Sequence, residues 1–333
     1  MLGNHKRIVQ NISAILVFAF AFWGIHYTSD WISYRHYFDN PEESRDLFFG
    51  LLAEYFKGKN YSFEILYRVY ISLIGLSYVY LFNKIKSNPI VLVLILVIFN
   101  YVAMGNQIRF FLAFPCCLLA FYEFLEKKYI LTVIFLTISV LNHKTAILLF
   151  SALIGFNFFA YKLKPNKQII IIVLSNIAIY ILLNYISSFD EKYNAYNTAN
   201  RLSSFLGGIF NVFPYLFPIY FIYRINKKIK KGIVRGNNVV YRFLYVCSIA
   251  PTAFLFSGIY IQVLTNRFII AFLPIWLGYF LYVNKNIKPQ NQASKTLIFT
   301  IVLISVWTFI VKPLLGFDEY FIETALMLNS YSL

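Results

Sequence analysis

Long apolar runs alternate with short polar segments along nearly the whole chain. A membrane-crossing helix needs about 20 predominantly apolar residues. The runs 8–27, 64–82, 89–104, 106–125, 129–141, 145–161, 168–186, 206–223, 240–257, 266–283 and 296–311 predict about eleven spanning helices. The expected fold is therefore all-α, a polytopic integral membrane protein whose residues 1–333 form one transmembrane domain. The first run is long and lacks a small-residue cleavage site, which marks an anchor rather than a removed signal peptide.

One stretch stands out from this pattern. Residues 105–144 read as a helix hairpin, with Arg109 near the start, a Glu126-Lys127-Lys128 turn, and His143-Lys144 at the end. Arg109 lies about 18 residues before the turn and His143 about 16 after it, so at ~1.5 Å rise per residue both side chains reach a similar depth. Ionisable residues at a membrane boundary are costly and are functional candidates for that reason.

Composition agrees with the membrane reading. Hydrophobic residues make up 59%, charged residues 13%, and the mean hydropathy is +0.64. A soluble domain carries about 25% charged residues. Aromatics reach 20%, and tyrosine suits the lipid–water interface. The net charge of +16 raises the question of nucleic acid, but topology explains it. With a cytoplasmic N-terminus, the inner segments hold Lys6 and Arg7, Lys84 and Lys86, Lys127 and Lys128, three lysines in 162–167, six bases in 224–235, and three lysines in 285–295. Each is basic, and together they contain only Glu123 and Glu126 as acids, which is the positive-inside pattern. It predicts an outer C-terminus and no nucleic-acid partner. Within the basic cytoplasmic loop 224–239, the run 226–235 also suits anionic lipid headgroups, although orientation is the plainer account. Cys116, Cys117 and Cys247 sit inside apolar runs without metal-ligand or disulfide spacing and read as small apolar residues.

The outer segments carry the chemistry-bearing residues. The largest, 28–63, crowds Asp30, Trp31, Tyr34, Arg35 and His36 together and predicts a short helix over 44–56. Aromatic faces beside carboxylates suit a sugar surface, and an interfacial aromatic belt explains the same residues. A second outer loop, 187–205, contains Arg201. An echo links Arg109-Phe-Phe-Leu-Ala-Phe before Pro115 to Arg267-Phe-Ile-Ile-Ala-Phe before Pro274. An arginine in the first turn of a helix has the wrong sign for the dipole and becomes sensible with an anion between them. Two such arginines predict a diphosphate clamp, because the guanidinium fork matches phosphate oxygens; two snorkelling arginines are the plainer account. His143 is the leading candidate general base, with Glu64 and Asp30 as competitors. His143 also reads as a helix C-cap, Glu64 as ordinary first-turn chemistry, and Asp30 as an N-cap. No metal-ligand spacing, HExxH, GxSxG or P-loop occurs, so neither metal nor cofactor is expected.

These residues together resemble a known family. Asp30 and Tyr34 in the first outer loop come first, then Glu64 with Tyr67 opening the second helix. Arg109 with Ala113 follows, then a lysine-rich turn, His143-Lys144, and Arg267 before a late helix. This order is similar to the Wzy-type polysaccharide polymerases, in particular their EpsG branch. Thr145 stands where the family more often has serine, and Ile65 where proline or glycine is commoner. The resemblance implies a glycosyltransferase of the bacterial inner membrane with its active site facing the periplasm. It implies transfer of a growing glycan from undecaprenyl diphosphate to the non-reducing end of a lipid-linked repeat unit, for O-antigen, capsule or exopolysaccharide. No nucleotide is consumed. A chain-length-regulating co-polymerase is the implied protein partner. In that scheme Arg109, Arg267, Lys144 and Arg201 bind diphosphate. His143, Glu64 or Asp30 acts in catalysis, and Trp31, Tyr34, Arg35 and Tyr67 contact sugar or acceptor.

Other readings use the same residues. A lipid-linked oligosaccharide flippase predicts paired halves and a polar site at the midplane, whereas the ionisable residues here gather at one face. An O-antigen ligase or another polyprenyl-sugar-dependent glycosyltransferase shares this membrane plan, and a ligase predicts a larger late outer loop. A membrane acyltransferase needs a route for cytoplasmic acyl groups.

Overall fold

The computed structural model describes residues 2–25, 29–44, 46–161, 163, 165–187, 205–229, 239–260, 267–286 and 290–311. Among these residues the fold is all-α, with no strand. They form two compact units, one ending at Phe150 and one spanning Ser151–Val311.

The first unit contains α1 (Leu2–Phe22), α2 (Ser29–Asp39), a 3-10 turn (Pro41–Glu43), α3 (Leu47–Gly58), α4 (Phe63–Lys84), α5 (Pro89–Asn106), α6 (Ile108–Leu125) and α7 (Tyr129–Asn142). α8 (Ala146–Gly155) carries the chain into the second unit. The central element is α6, apolar on every side and buried from Phe110 to Glu123, as expected of a helix without a polar face. It packs on α7 and α4, and α1 packs on α5 and α4. Gly75 permits the α1–α4 approach, because a Cβ there would meet the Phe18 ring at 2.8 Å. Pro115 sits inside α6 without ending it.

The α6–α7 reversal follows from its terminal hydrogen bonds. Lys128 N–H donates to Glu123 C=O at 2.9 Å and Lys127 N–H to Phe124 C=O at 3.0 Å, with Lys127 at φ 63°. This is a Schellman ending with lysine where glycine is usual. The end of α4 repeats it with Lys86 at φ 57°. A cation at a helix C-terminus is favoured by the dipole. At the same end of the unit, Lys84 Nζ lies 2.7 Å from the carboxylate of Glu123, which is fully buried. Arg7 donates to the side chain and the carbonyl of Asn83, each at 2.8 Å.

The second unit contains a π-helical segment (Phe156–Ala160) that continues α8, then α9 (Pro165–Ser187), α10 (Phe205–Ile229), α11 (Val239–Ile249) and a 3-10 stretch (Ala250–Phe254). α12 (Leu255–Tyr260), α13 (Leu273–Asn286), α14 (Gln290–Val306) and a last π turn (Trp307–Val311) complete it. Its core helix is α13, buried from Leu273 to Phe280 and packed on α11 and α14.

Among the described residues, each predicted apolar run overlaps a helical segment. Among the described residues, four helices, Phe63–Lys84, Ile108–Leu125, Phe205–Lys227 and Val239–Ile259, are long and apolar enough to cross a membrane, and five further apolar helices are shorter. Large side chains such as Phe20, Ile130 and Phe159 are exposed along these helices. Exposed apolar surface of this kind suits lipid rather than water.

The first outer segment differs from expectation. Residues 29–39, where no helix is predicted from the sequence, form α2, and the helix predicted over 44–56 runs from Leu47 to Gly58. Arg201, residues 188–204, residues 230–238 and the tail after Val311 lie outside the described residues.

Candidate active site

Four helix ends meet at one end of the first unit, because successive helices run antiparallel: the start of α4, the end of α5, the start of α6 and the end of α7. They carry Glu64, Gly105, Arg109 and His143 respectively. The hairpin expectation holds in geometry. Phe110, next to Arg109, meets the His143 ring edge-on with centroids 5.6 Å apart, and Ser139 of α7 donates to Ala113 C=O of α6 at 2.6 Å.

Arg109 is the second residue of α6, and its Nη1 lies 2.6 Å from Oδ2 of Asp46, with side-chain exposures of 17% and 12%. Asp46 immediately precedes α3 and belongs to the first outer segment. The guanidinium also lies over two rings of α2, 5.0 Å from Tyr34 and 5.5 Å from Tyr37. A cation at a helix start thus finds its anion on a separate element, and aromatic faces supply further cation–π attraction.

His143 caps the C-terminus of α7, its N–H donating to Ser139 C=O at 3.0 Å. The ring Nδ1 is 2.6 Å from Thr145 Oγ1. The preceding residue, Asn142, is buried; its Nδ2 donates to Ile138 C=O at 2.7 Å, and its Oδ1 accepts from the Tyr70 hydroxyl of α4. The Tyr70 ring in turn packs on Phe48 and Phe49 of α3. A continuous set of contacts therefore joins α3, α4, α6 and α7 around Arg109 and His143.

The other predicted residues take varied places. Glu64 sits in the first turn of α4, and Asp30 in the first turn of α2. Lys144 is exposed in the turn after His143. Tyr67 is buried and donates to Gly105 C=O at 3.3 Å. Trp31 and Tyr34, 6% and 2% exposed, direct their rings into the unit: Trp31 packs edge-on against Phe63, and Tyr34 against Phe49. Arg35 lies over the Trp31 ring at 5.7 Å. These aromatics anchor the outer segment. Among the described residues of that segment, the exposed tyrosine rings are Tyr55 and Tyr61. An open groove of about 560 Å³ runs along α3, lined by Pro41, Glu42, Ser44, Leu47, Glu54 and Lys57 among others.

Arg267 belongs to the second unit, and there the echo ends. The helical turn at Arg267-Phe268 breaks at Ile269, a 3-10 turn covers Ile270–Phe272, and α13 starts only at Leu273. Arg267 does not open that helix. Pro274 is the reason: its ring excludes a helical carbonyl four residues earlier and fits the first turn of a new helix. Phe268 stacks on Phe254 with centroids 4.3 Å apart.

Two residues were missed in the sequence, Asp46 and Tyr70. The signal for Asp46 was general: a withdrawn arginine requires an anion. Among the described residues, no group of three His, Cys, Asp or Glu side chains converges to hold a metal. In comparison with known proteins, the model of the EpsG family matches residues 11–321. No curated protein and no solved structure matches the chain.

Proposed function

The chain belongs to the EpsG family, and on that premise we propose that it is a polysaccharide polymerase. The donor is a growing glycan on undecaprenyl diphosphate, and the acceptor is the non-reducing end of a lipid-linked repeat unit. In this reading about eleven helices span the bacterial inner membrane, with the N-terminus cytoplasmic and the C-terminus outside. The Arg109–His143 end then faces the periplasm. A chain-length-regulating co-polymerase is the protein partner. The observation that carries the proposal is the Arg109 site itself: a withdrawn arginine at a helix start, in ion pairing with Asp46, whose neighbour Phe110 meets the His143 ring across the hairpin.

The acceptor hydroxyl oxygen attacks the anomeric carbon of the donor. The bond from that carbon to the lipid diphosphate oxygen breaks, and the diphosphate departs with the bonding electrons. His143 takes the hydroxyl proton on Nε2. That role requires the Nδ1 proton to be donated to Thr145 Oγ1, which fixes the tautomer and the ring. Glu64 and Asp30 are the alternative bases. Arg109 stabilises the charge that develops on the diphosphate; Asp46 engages Nη1, and a guanidinium carries five N–H donors in all. Lys144, Arg201 and Arg267 are the further cations assigned to diphosphate. Arg35 and the groove along α3 are assigned to the acceptor glycan, with Trp31, Tyr34 and Tyr67 holding the segment in shape.

Purified protein incubated with lipid-linked repeat units alone, without nucleotide, tests the proposal. A ladder of lengthening glycans on lipid is the expected product. Translocation of the lipid-linked units across a vesicle membrane without ladders would replace polymerase with flippase.

A further inference from the structure

A polar cluster in the second unit has no part in the transfer chemistry. Asn157 after α8, Gln168 near the start of α9, Asn226 near the end of α10, and Tyr241 with Arg242 at the start of α11 gather at one end of the unit. Tyr245 donates to Gln168 Oε1 at 2.6 Å, and Tyr241 to Asn226 Oδ1 at 2.5 Å. Arg242 donates from Nε to Asn157 Oδ1 at 2.7 Å, and its guanidinium lies over the Tyr161 ring at 5.3 Å.

Each of these partners is neutral, and the unit holds little negative charge. Residues 151–311 contain sixteen lysines and arginines against two acids, Asp190 and Glu191. Both acids follow the C-terminal end of α9 in sequence, whereas Gln168 lies near its start. At ~1.5 Å per residue a helix of this length spans about 34 Å. Arg242 is half-buried, and drawing a guanidinium even partly out of water is costly unless an anion compensates. The amide oxygen of Asn157 faces Arg242, which leaves Nδ2 buried and without a hydrogen-bond partner among the described residues. Arg242 and Asn157 together offer positive charge and N–H donors; a group with several anionic acceptor oxygens satisfies both.

We propose that Arg242, Asn157 and Tyr161 form a binding site for a phosphate group at the basic end of the second unit. The guanidinium engages phosphate oxygens through its planar fork, Asn157 Nδ2 donates to a further oxygen, and the Tyr161 face backs the guanidinium. Lys167, exposed near the start of α9, adds longer-range attraction. An anionic lipid headgroup and free inorganic phosphate share this chemistry.

Thermal unfolding of the full-length protein in nanodiscs separates the two sources without any glycan transfer. One arm compares phosphatidylcholine discs with discs containing phosphatidylglycerol. The other adds inorganic phosphate to phosphatidylcholine discs, against chloride at equal ionic strength. The unfolding temperature of the wild type is expected to rise in at least one arm, and the arm identifies the source. Arg242→Gln should lose that rise. Asn157→Asp should lose it as well, and should raise the unfolding temperature without ligand, because its carboxylate satisfies Arg242. No rise in either arm, or an equal rise in the wild type and Asn157→Asp, would overturn the proposal.

Discussion

Arg109 and Asp46 form an ion pair at 2.6 Å that ties the first outer segment to the start of the most buried helix of its unit. The pair resolves an electrostatic conflict, since a cation in the first turn opposes the helix dipole. It also places an internal carboxylate at the guanidinium that the proposed mechanism assigns to diphosphate. Asp46 then holds the arginine in position before substrate arrives.

This arrangement predicts an asymmetry between the two partners. Removing either one strands a largely buried charge, at a cost of about 3–5 kcal/mol. Arg109→Ala and Asp46→Ala should each lower the unfolding temperature, and the double variant should recover part of the loss. Function should divide differently: ladders vanish in Arg109→Ala and in the double variant but persist in Asp46→Ala. Arg109→Lys should restore ladders poorly, since a point charge lacks the fork. Unfolding curves and ladder assays on the same preparations decide the matter.

His143 and Thr145 supply a second prediction. If His143 is the base, His143→Ala slows ladder growth by roughly 10²–10⁴-fold. Thr145→Val removes the oxygen 2.6 Å from Nδ1 and should slow growth by less, while Thr145→Ser, which keeps the hydroxyl, should run near the wild-type rate. Equal rates for Thr145→Val and the wild type would leave the hydroxyl without a role. Initial rates of ladder growth are the readout.

The hairpin was legible in the sequence because two apolar runs flank a short charged turn, and helix rise alone fixes the depth of Arg109 and His143. α2 was not, because its composition is mixed and its rings suggested a sugar surface. Yet Trp31, Tyr34 and Phe38, spaced three and four apart, are the buried stripe of an amphipathic helix. The echo misled through a single residue of spacing. Pro115 lies six residues after Arg109 and is absorbed within α6, whereas Pro274 lies seven after Arg267 and starts a new helix. The pairing of Arg109 with Asp46 was beyond the sequence, since several acids of the same segment qualified equally by charge.

The opposite end of the first unit carries the buried carboxylate of Glu123, held by Lys84 at 2.7 Å with Lys128 at 3.9 Å. Lys84→Ala leaves that carboxylate poorly compensated and should cost about 3–5 kcal/mol. Lys128→Ala, at longer range and more exposed, should cost far less. Thermal unfolding in detergent should rank the two variants in that order.

Close packing of α10 against α12 rests on Gly208. A Cβ at this position would collide with the Ile259 carbonyl oxygen, a backbone atom that cannot rotate away. Gly208→Ala should therefore force the helices apart and reduce the yield of folded protein, while Gly155→Ala, where a Cβ meets open space, should leave it unchanged. Size-exclusion profiles of the solubilised proteins distinguish them.

The burial of Trp31, Tyr34 and Phe38 beneath α2 also defines how this protein can be recombined with its relatives. A donor segment grafted over residues 29–58 will seat only if it brings those rings and the Asp46 carboxylate in register, because Phe63 and Arg109 of the recipient complete the contacts of Trp31, Phe38 and Asp46, while the Tyr34–Phe49 contact travels inside the segment. The outward positions Glu42, Glu54 and Lys57 carry no such constraint and can be exchanged as a cassette. Chimaeras divided along that boundary would show whether the choice of glycan travels with the solvent face of one short helical insert.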